Sequence, residues 1–142
     1  MSRIIGYTSG VYDLFHVGHL NILRNAKSLC DRLIVGVSTD ELVKQYKNRT
    51  PIISFIERCE ILQHVEYVDA VVAQDTMDKL AAWQRLKFNI MFVGDDWHGS
   101  DKWNKIDQQM NTVGVQVVYF PYTKSTSSTK IKQILENFDL SE

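Results

Sequence analysis

Short apolar runs alternate along the chain with segments in which apolar residues recur every three or four positions. The first run, Arg3 to Thr8, carries Ile4, Ile5 and Tyr7 and meets Ser9-Gly10, as a short strand ending in a turn does. His19 to Cys30 then sets Leu20, Leu23, Ala26 and Cys30 at near-helical spacing. Leu33-Ile34-Val35-Gly36-Val37 is a continuous apolar run, the pattern of a strand buried on both faces. Ser38 to Ile53 is polar and irregular and reads as a long loop. Phe55 to Val65 is helical in pattern, with Phe55, Cys59, Leu62 and Val65 facing inward. Val68 to Ala73 reads as a strand, and Met77 to Phe88 as a helix with Leu80, Trp83 and Leu86 on one side. A strand at Ile90 to Val93, a helix at Trp103 to Met110 and a strand at Val115 to Phe120 follow. The last helix runs from Ser128 to Asn137, with Ile131, Ile134 and Leu135 apolar.

Strands that alternate with helices predict parallel pairing through crossover connections. Five of them make an α/β fold with a doubly wound, mostly parallel five-stranded sheet. In such a sheet ligands bind outside the carboxyl ends of the strands, where the strand order reverses. Chemistry is therefore expected in the segments just after strands: Ser9 to His19, Ser38 to Arg49, Gly94 to Gly99 and Pro121 to Thr129.

A chain of 142 residues is expected to be one catalytic domain, 1–142. Sixteen Lys and Arg against seventeen Asp and Glu give a net charge of −1, which excludes a globally basic nucleic-acid binder and an acidic disordered chain. A local cationic pocket remains compatible with that sum. Two cysteines, Cys30 and Cys59, cannot make a disulfide framework or a four-thiolate zinc site. The N-terminus lacks a signal-peptide pattern, and no apolar run approaches the ~20 residues of a membrane span. A soluble cytoplasmic protein without nucleic-acid or membrane partners is expected.

The first site segment holds two of the four histidines, His16 and His19, three apart at the start of a helix. A helix N-terminus offers unpaired N–H groups and a positive dipole end to an anion. Gly18 removes a side chain between the histidines and lets a ligand approach the backbone. Two imidazoles at such a terminus suit a phosphate whose charge grows during reaction. A catalytic zinc site needs a third ligand, and no nearby His or Cys supplies one. Neither a P-loop nor a Gly-x-Gly-x-x-Gly pattern is present. Lys47 and Lys44 lie in the polar stretch, where most lysines are simply solvated. Arg58 could be an exposed helix arginine paired with Glu57 or Glu60, worth little. Gly94-Asp95-Asp96-Trp97 could be a turn, a ribose contact or oxygen ligands for magnesium. Five hydroxyls among Thr123 to Thr129 exceed what one helix cap needs.

Gly10-Val11-Tyr12-Asp13-Leu14-Phe15-His16-Val17-Gly18-His19 resembles the His-x-Gly-His signature of the cytidylyltransferases, in the nucleotidylyltransferase superfamily of modified Rossmann folds. The likeness extends, in order, through Ser38-Thr39-Asp40-Glu41, Glu57-Arg58, Tyr67-Val68-Asp69, Gly94-Asp95-Asp96-Trp97 and Ser127-Ser128-Thr129. It is similar over almost the whole chain to the short bacterial glycerol-3-phosphate cytidylyltransferases. The resemblance implies transfer of CMP from CTP to a small phospho-alcohol, with release of pyrophosphate and no covalent intermediate. It implies His16, His19, Lys47 and Arg58 as catalytic groups. It implies Ser9, Gly10, Val11, Tyr12, Gly18, Gly94, Asp95, Asp96, Thr123, Ser127, Ser128 and Thr129 around the nucleotide. Asp13, Lys44 and Lys79 would hold the acceptor. Mg2+ would accompany the triphosphate, with Asp13 a candidate ligand. A homodimer is implied, as is a product feeding teichoic-acid or capsule-type polymers. No membrane-binding tail like that of the longer eukaryotic phosphocholine relatives is expected.

Two departures concern the substrates. Tyr122-Thr123-Lys124-Ser125 stands where the family begins Arg-Thr-Glu-Gly, and Met77, with Lys79 nearby, stands where the glycerol-phosphate enzymes carry a tryptophan and a lysine. The alternatives are another phospho-alcohol as acceptor, an ATP-dependent adenylyltransferase of the same superfamily, and a nucleotide-binding module without turnover.

Overall fold

The computed structural model describes residues 3–94, 98–121 and 128–136. The elements are β1 (Ile5–Gly10), α1 (Val17–Lys27), β2 (Arg32–Ser38), α2 (Asp40–Lys47), α3 (Phe55–Gln63), β3 (Ala70–Gln74), α4 (Lys79–Leu86), β4 (Ile90–Gly94), α5 (Asp101–Thr112), β5 (Gln116–Phe120) and α6 (Ser128–Glu136). The strands form one sheet in the order β3-β2-β1-β4-β5, and every ladder is parallel. This is the Rossmann-like α/β arrangement that the alternation of patterns predicts. Strand order reverses between β1 and β4, which opens a crevice above their carboxyl ends.

Successive residues of a strand face opposite sides of a sheet, so the apolar run of β2 feeds two cores. Leu33, Val35 and Val37 pack under Leu23 and Ala26 of α1 and Leu62 of α3. Ile34 faces the other way, toward Tyr7, Met91 and the α4–α5 layer, where Trp103 and Met110 are buried. Tyr7 stacks on Phe88 at 4.8 Å and lies over Gly36. A Cβ at residue 36 would collide with the buried Tyr7 hydroxyl and crowd its ring, so this crossing favours glycine.

The structure departs from the sequence pattern in several places, mostly at element ends. Residues 40–47 are helix α2, not loop. Its signal is polar: the Thr39 hydroxyl accepts from the Leu42 amide, Asp40 and Glu41 fill the first turn, Lys44 and Lys47 the last, and Asn48 closes it in the left-handed conformation. Only Leu42 and Val43 are buried, too few for a visible apolar stripe. Strands β1, β2, β3 and β4 end one or two residues later than their apolar runs, because Ser9, Gly10, Ser38, Gln74 and Gly94 stay in the ladders. Helix α4 starts at Lys79, after Asp78 accepts from the Leu80 and Ala81 amides. Ile134 and Leu135, two of the apolar positions of α6, are 58% and 52% exposed.

Candidate active site

Helix α1 begins with its two histidines bonded to the helix start. His16 is the N-cap, and its Nδ1 accepts from the Gly18 amide at 3.0 Å. His19 reaches back, and its Nδ1 accepts from the His16 amide at 3.3 Å. The two bonds form a reciprocal capping box, a role usually filled by Ser or Thr with Glu. The rings stack at 4.0 Å, with Phe15 and Tyr12 against His19. An amide that donates to Nδ1 requires the neutral ring's proton on Nε2. Both Nε2–H groups are thus donors, and neither has a protein acceptor among the described residues. Burial, then the adjoining His16, lowers the His19 pKa to about 4 against the opposing pull of Asp13, and burial lowers that of His16. The pair is neutral at physiological pH. It offers two fixed N–H donors beside the free amides of a helix N-terminus, a ready seat for phosphate oxygens.

The loop that delivers these rings is held by unusual backbone. Tyr12 and Leu14 adopt φ of 56° and 51°, a left-handed conformation costly for side chains of their size. Tyr12 is buried, bonded to Thr8, and its hydroxyl pKa is raised by that burial. Between the two, Asp13 turns inward and is 3% exposed. Its oxygens accept from the amides of Ile52 and Ile53, each at 2.9 Å, and pair with Lys132 at 2.9 Å. Burial pushes this carboxyl up, but the two amides and Lys132 more than offset it, so its pKa falls. Asp13 therefore ties three segments together. With both oxygens committed within the protein, it does not fit the role of a magnesium ligand. Among the described residues no cluster of three His, Cys, Asp or Glu side chains could hold a metal.

Arg58 also differs from its expected role. It is 1% exposed and binds within the protein. Nε donates to Ile53 O at 2.9 Å, Nη1 to the carbonyls of Val11 and Ser38 at 2.8 Å each, and Nη2 to Asp40 at 2.6 Å. A buried guanidinium must have its donors met, and here four contacts on four segments meet them. Arg58 binds the β1 and β2 loops to α2 and α3; it is not an arm extended toward phosphate. Lys47, by contrast, ends α2 with an exposed side chain. Partial desolvation, Arg49 and Lys132 lower its pKa, while Asp13 raises it. Lys44 is exposed one turn earlier on α2.

A second polar centre lies at the carboxyl ends of β1, β2 and β3. Lys79 is 8% exposed, and its ammonium donates to Ser9 Oγ at 3.2 Å. Gln74 donates to the same hydroxyl at 3.4 Å and accepts from Ser38 Oγ at 2.7 Å. Trp103 lies 5.9 Å from Nζ. Among the described residues no carboxylate pairs with Lys79. Burial, then Lys102, brings its pKa down to about 8. Gln74 also borders a cavity of about 200 Å³ between β3 and α4, shared with Asp75, Thr76 and Arg85.

Ser9, Gly10, Val11, Tyr12 and Gly18 thus share one loop and helix start with the two histidines, and Gly94 ends the adjoining strand β4. Asp95, Asp96, Trp97, Tyr122, Thr123, Lys124, Ser125 and Ser127 lie outside the described residues; Ser128 and Thr129 open α6. Sequence reasoning missed Gln74, Trp103 and Lys132. Gln74 closes a strand whose apolar run stops one residue earlier, and Lys132 sits in an ordinary amphipathic helix.

Three comparisons bear on this geometry. Residues 7–134 match the family model described as Cytidylyltransferase-like. A glycerol-3-phosphate cytidylyltransferase of Bacillus spizizenii is 36% identical over 136 residues, covering 94% of this chain and 96% of its own length. An FAD synthase of Pyrococcus abyssi is 36% identical over 143 residues, covering 96% and 95%. The fold is similar to that of a lipopolysaccharide core biosynthesis protein from Thermoplasma volcanium, with a TM-score of 0.72 at 24% identity over 87% of this chain and 98% of that one. With the family model spanning nearly all of its sheet and both polar centres, the chain belongs to the cytidylyltransferase-like family.

Proposed function

We propose that this protein transfers CMP from CTP to a small phospho-alcohol, glycerol 3-phosphate in the first instance. A phosphate oxygen of the acceptor attacks the α-phosphorus of CTP in line. The new P–O bond forms as the bond to the β-phosphate oxygen breaks, and pyrophosphate leaves with the electron pair. The nucleophile is already an anion, so no general base is required. Catalysis is positioning and charge stabilisation.

The observation that carries this reading is the presence of two anion-receptive centres at one end of the sheet. The Nε2–H groups of His16 and His19 suit the α-phosphate, whose charge grows in the transition state. The buried, carboxylate-free ammonium of Lys79 beside Ser9 suits the phosphate of the acceptor. Lys47, exposed at the end of α2 and coupled to Arg49, Lys132 and Asp13, would offset the charge of the approaching anions. The cavity beside Gln74, below the 300–1,000 Å³ usual for larger ligands, favours a small acceptor. Magnesium would arrive with the triphosphate, and the protein would work in the cytoplasm as a homodimer; these belong to the proposal on the strength of the family alone.

The FAD synthase relatives support a second reading, adenylyl transfer from ATP to a flavin phosphate. Pyrophosphate release separates the two. The purified protein is assayed with CTP or ATP against glycerol 3-phosphate, other phospho-alcohols and FMN. Release with CTP and glycerol 3-phosphate is expected. Release only with ATP and FMN would overturn the acceptor and base assignments, and no release with any pair would overturn transfer itself.

A further inference from the structure

We propose that Lys132 is a positioning residue for triphosphate binding, acting through its ion pair with Asp13; the inference rests on the nucleotidyl-transfer reading. Lys132 lies on α6, and its ammonium meets Asp13 at 2.9 Å with only 14% of the side chain exposed. Asp13 itself sits between the two left-handed residues of the histidine loop and takes the amides of Ile52 and Ile53. One buried carboxylate thus joins α6, the segment before α3 and the loop that carries His16 and His19.

Two consequences follow for the phosphate site. The first is mechanical. Lys132 is four residues from the start of α6, about 6 Å along the axis at 1.5 Å per residue. Docking Lys132 on Asp13 therefore sets where the N-terminus of α6 lies relative to the histidine loop. The second is electrostatic. Lys132 and Arg49 line one cavity of about 330 Å³, and both bear on Lys47. The charged groups facing this region are Lys47, Arg49, Lys132, Asp13 and Glu136. Asp13 pairs with Lys132 and bears on Lys47, offsetting part of the repulsion among these cations, and an incoming polyphosphate would supply further negative charge.

The test uses Lys132→Met, which keeps the stem and removes the charge, and Lys132→Arg, which keeps the charge. Affinity for CTP and for tripolyphosphate is measured by calorimetry on the intact protein, with unfolding curves to verify the fold. Lys132→Met is expected to weaken both ligands by about tenfold or more, within the range of coupled sites, while kcat at saturating CTP changes less than KM. Lys132→Arg should recover most of the affinity. Unchanged affinity in a folded Lys132→Met protein would overturn the proposal, as would failure of the wild-type protein to bind tripolyphosphate. Wild-type tripolyphosphate binding without pyrophosphate release from any nucleotide would instead overturn the transfer reading and leave the Lys132 comparison decisive.

Discussion

Replacing Lys79 with methionine should make the protein more stable and a worse enzyme. Lys79 is 8% exposed, and its pKa falls from 10.5 to about 8, through burial first and Lys102 second. A base with a depressed folded-state pKa destabilises the fold wherever it must be protonated. The cost is complete below pH 8, shrinks between pH 8 and 10.5, and is gone above, because neither state then carries the proton. At about 1.36 kcal/mol per pH unit, the full cost is about 3 kcal/mol. Methionine fills similar space without the charge. It forfeits the bond to Ser9, about 1 kcal/mol. The net expectation near neutral pH is a gain of about 2 kcal/mol, or roughly 5–10 °C in Tm. Urea unfolding at pH 6.5 and 10.5 measures it, and the gap between variant and wild type should close at the higher pH. Steady-state kinetics on the same protein should show KM for the acceptor raised about 10- to 100-fold, the loss of one charged hydrogen bond. A variant less stable than wild type at pH 6.5, or a gap that persists at pH 10.5, would refute the assignment of Lys79 as an unpaired buried cation held for a ligand.

Further predictions concern the histidines and the arginine. His16→Ala and His19→Ala should each lower turnover about 10²–10³-fold in single-turnover assays, the loss of one transition-state donor. Each should also cost about 1 kcal/mol of stability through the lost cap, read by urea unfolding. Because the His19 pKa lies near 4, turnover should stay level down to about pH 5 and fall as pH drops through 4; a limb centred near 6.5 would show a ring that titrates freely. Arg58→Met should destabilise by about 3–5 kcal/mol, since it strands the buried carbonyls of Val11, Ser38 and Ile53 and leaves Asp40 without its partner; thermal unfolding decides it.

The sheet was legible because its signals are apolar. Leu33 to Val37 could only be a strand covered on both faces, and the spacing of Phe55, Cys59 and Leu62 could only suit a helix. Helix α2 was hidden because caps and charges, not buried residues, define it. At the site, the histidine pair announced itself by type and spacing, yet its capping role needed coordinates. Arg58 and Asp13 show the opposite case. Residue type suggested ligand contacts, but which partner a charged side chain meets is a long-range fact. Asp13 reaches Ile52 and Ile53 across some forty positions, and Arg58 reaches Val11 across 47. No local pattern encodes such a pairing. Lys132 was missed for the same reason.

The double use of His16 and His19 bears on how such sequences drift. Each ring spends Nδ1 on starting helix α1 and keeps Nε2 without a protein acceptor among the described residues. Folding alone therefore selects for a side chain that can accept an amide at these two positions. A descendant that had lost its chemistry would still gain from keeping both histidines, so the pair can outlive the reaction. Lys79 is the contrasting case: a buried cation without a carboxylate partner among the described residues weakens the fold, so folding alone gives no reason to retain it.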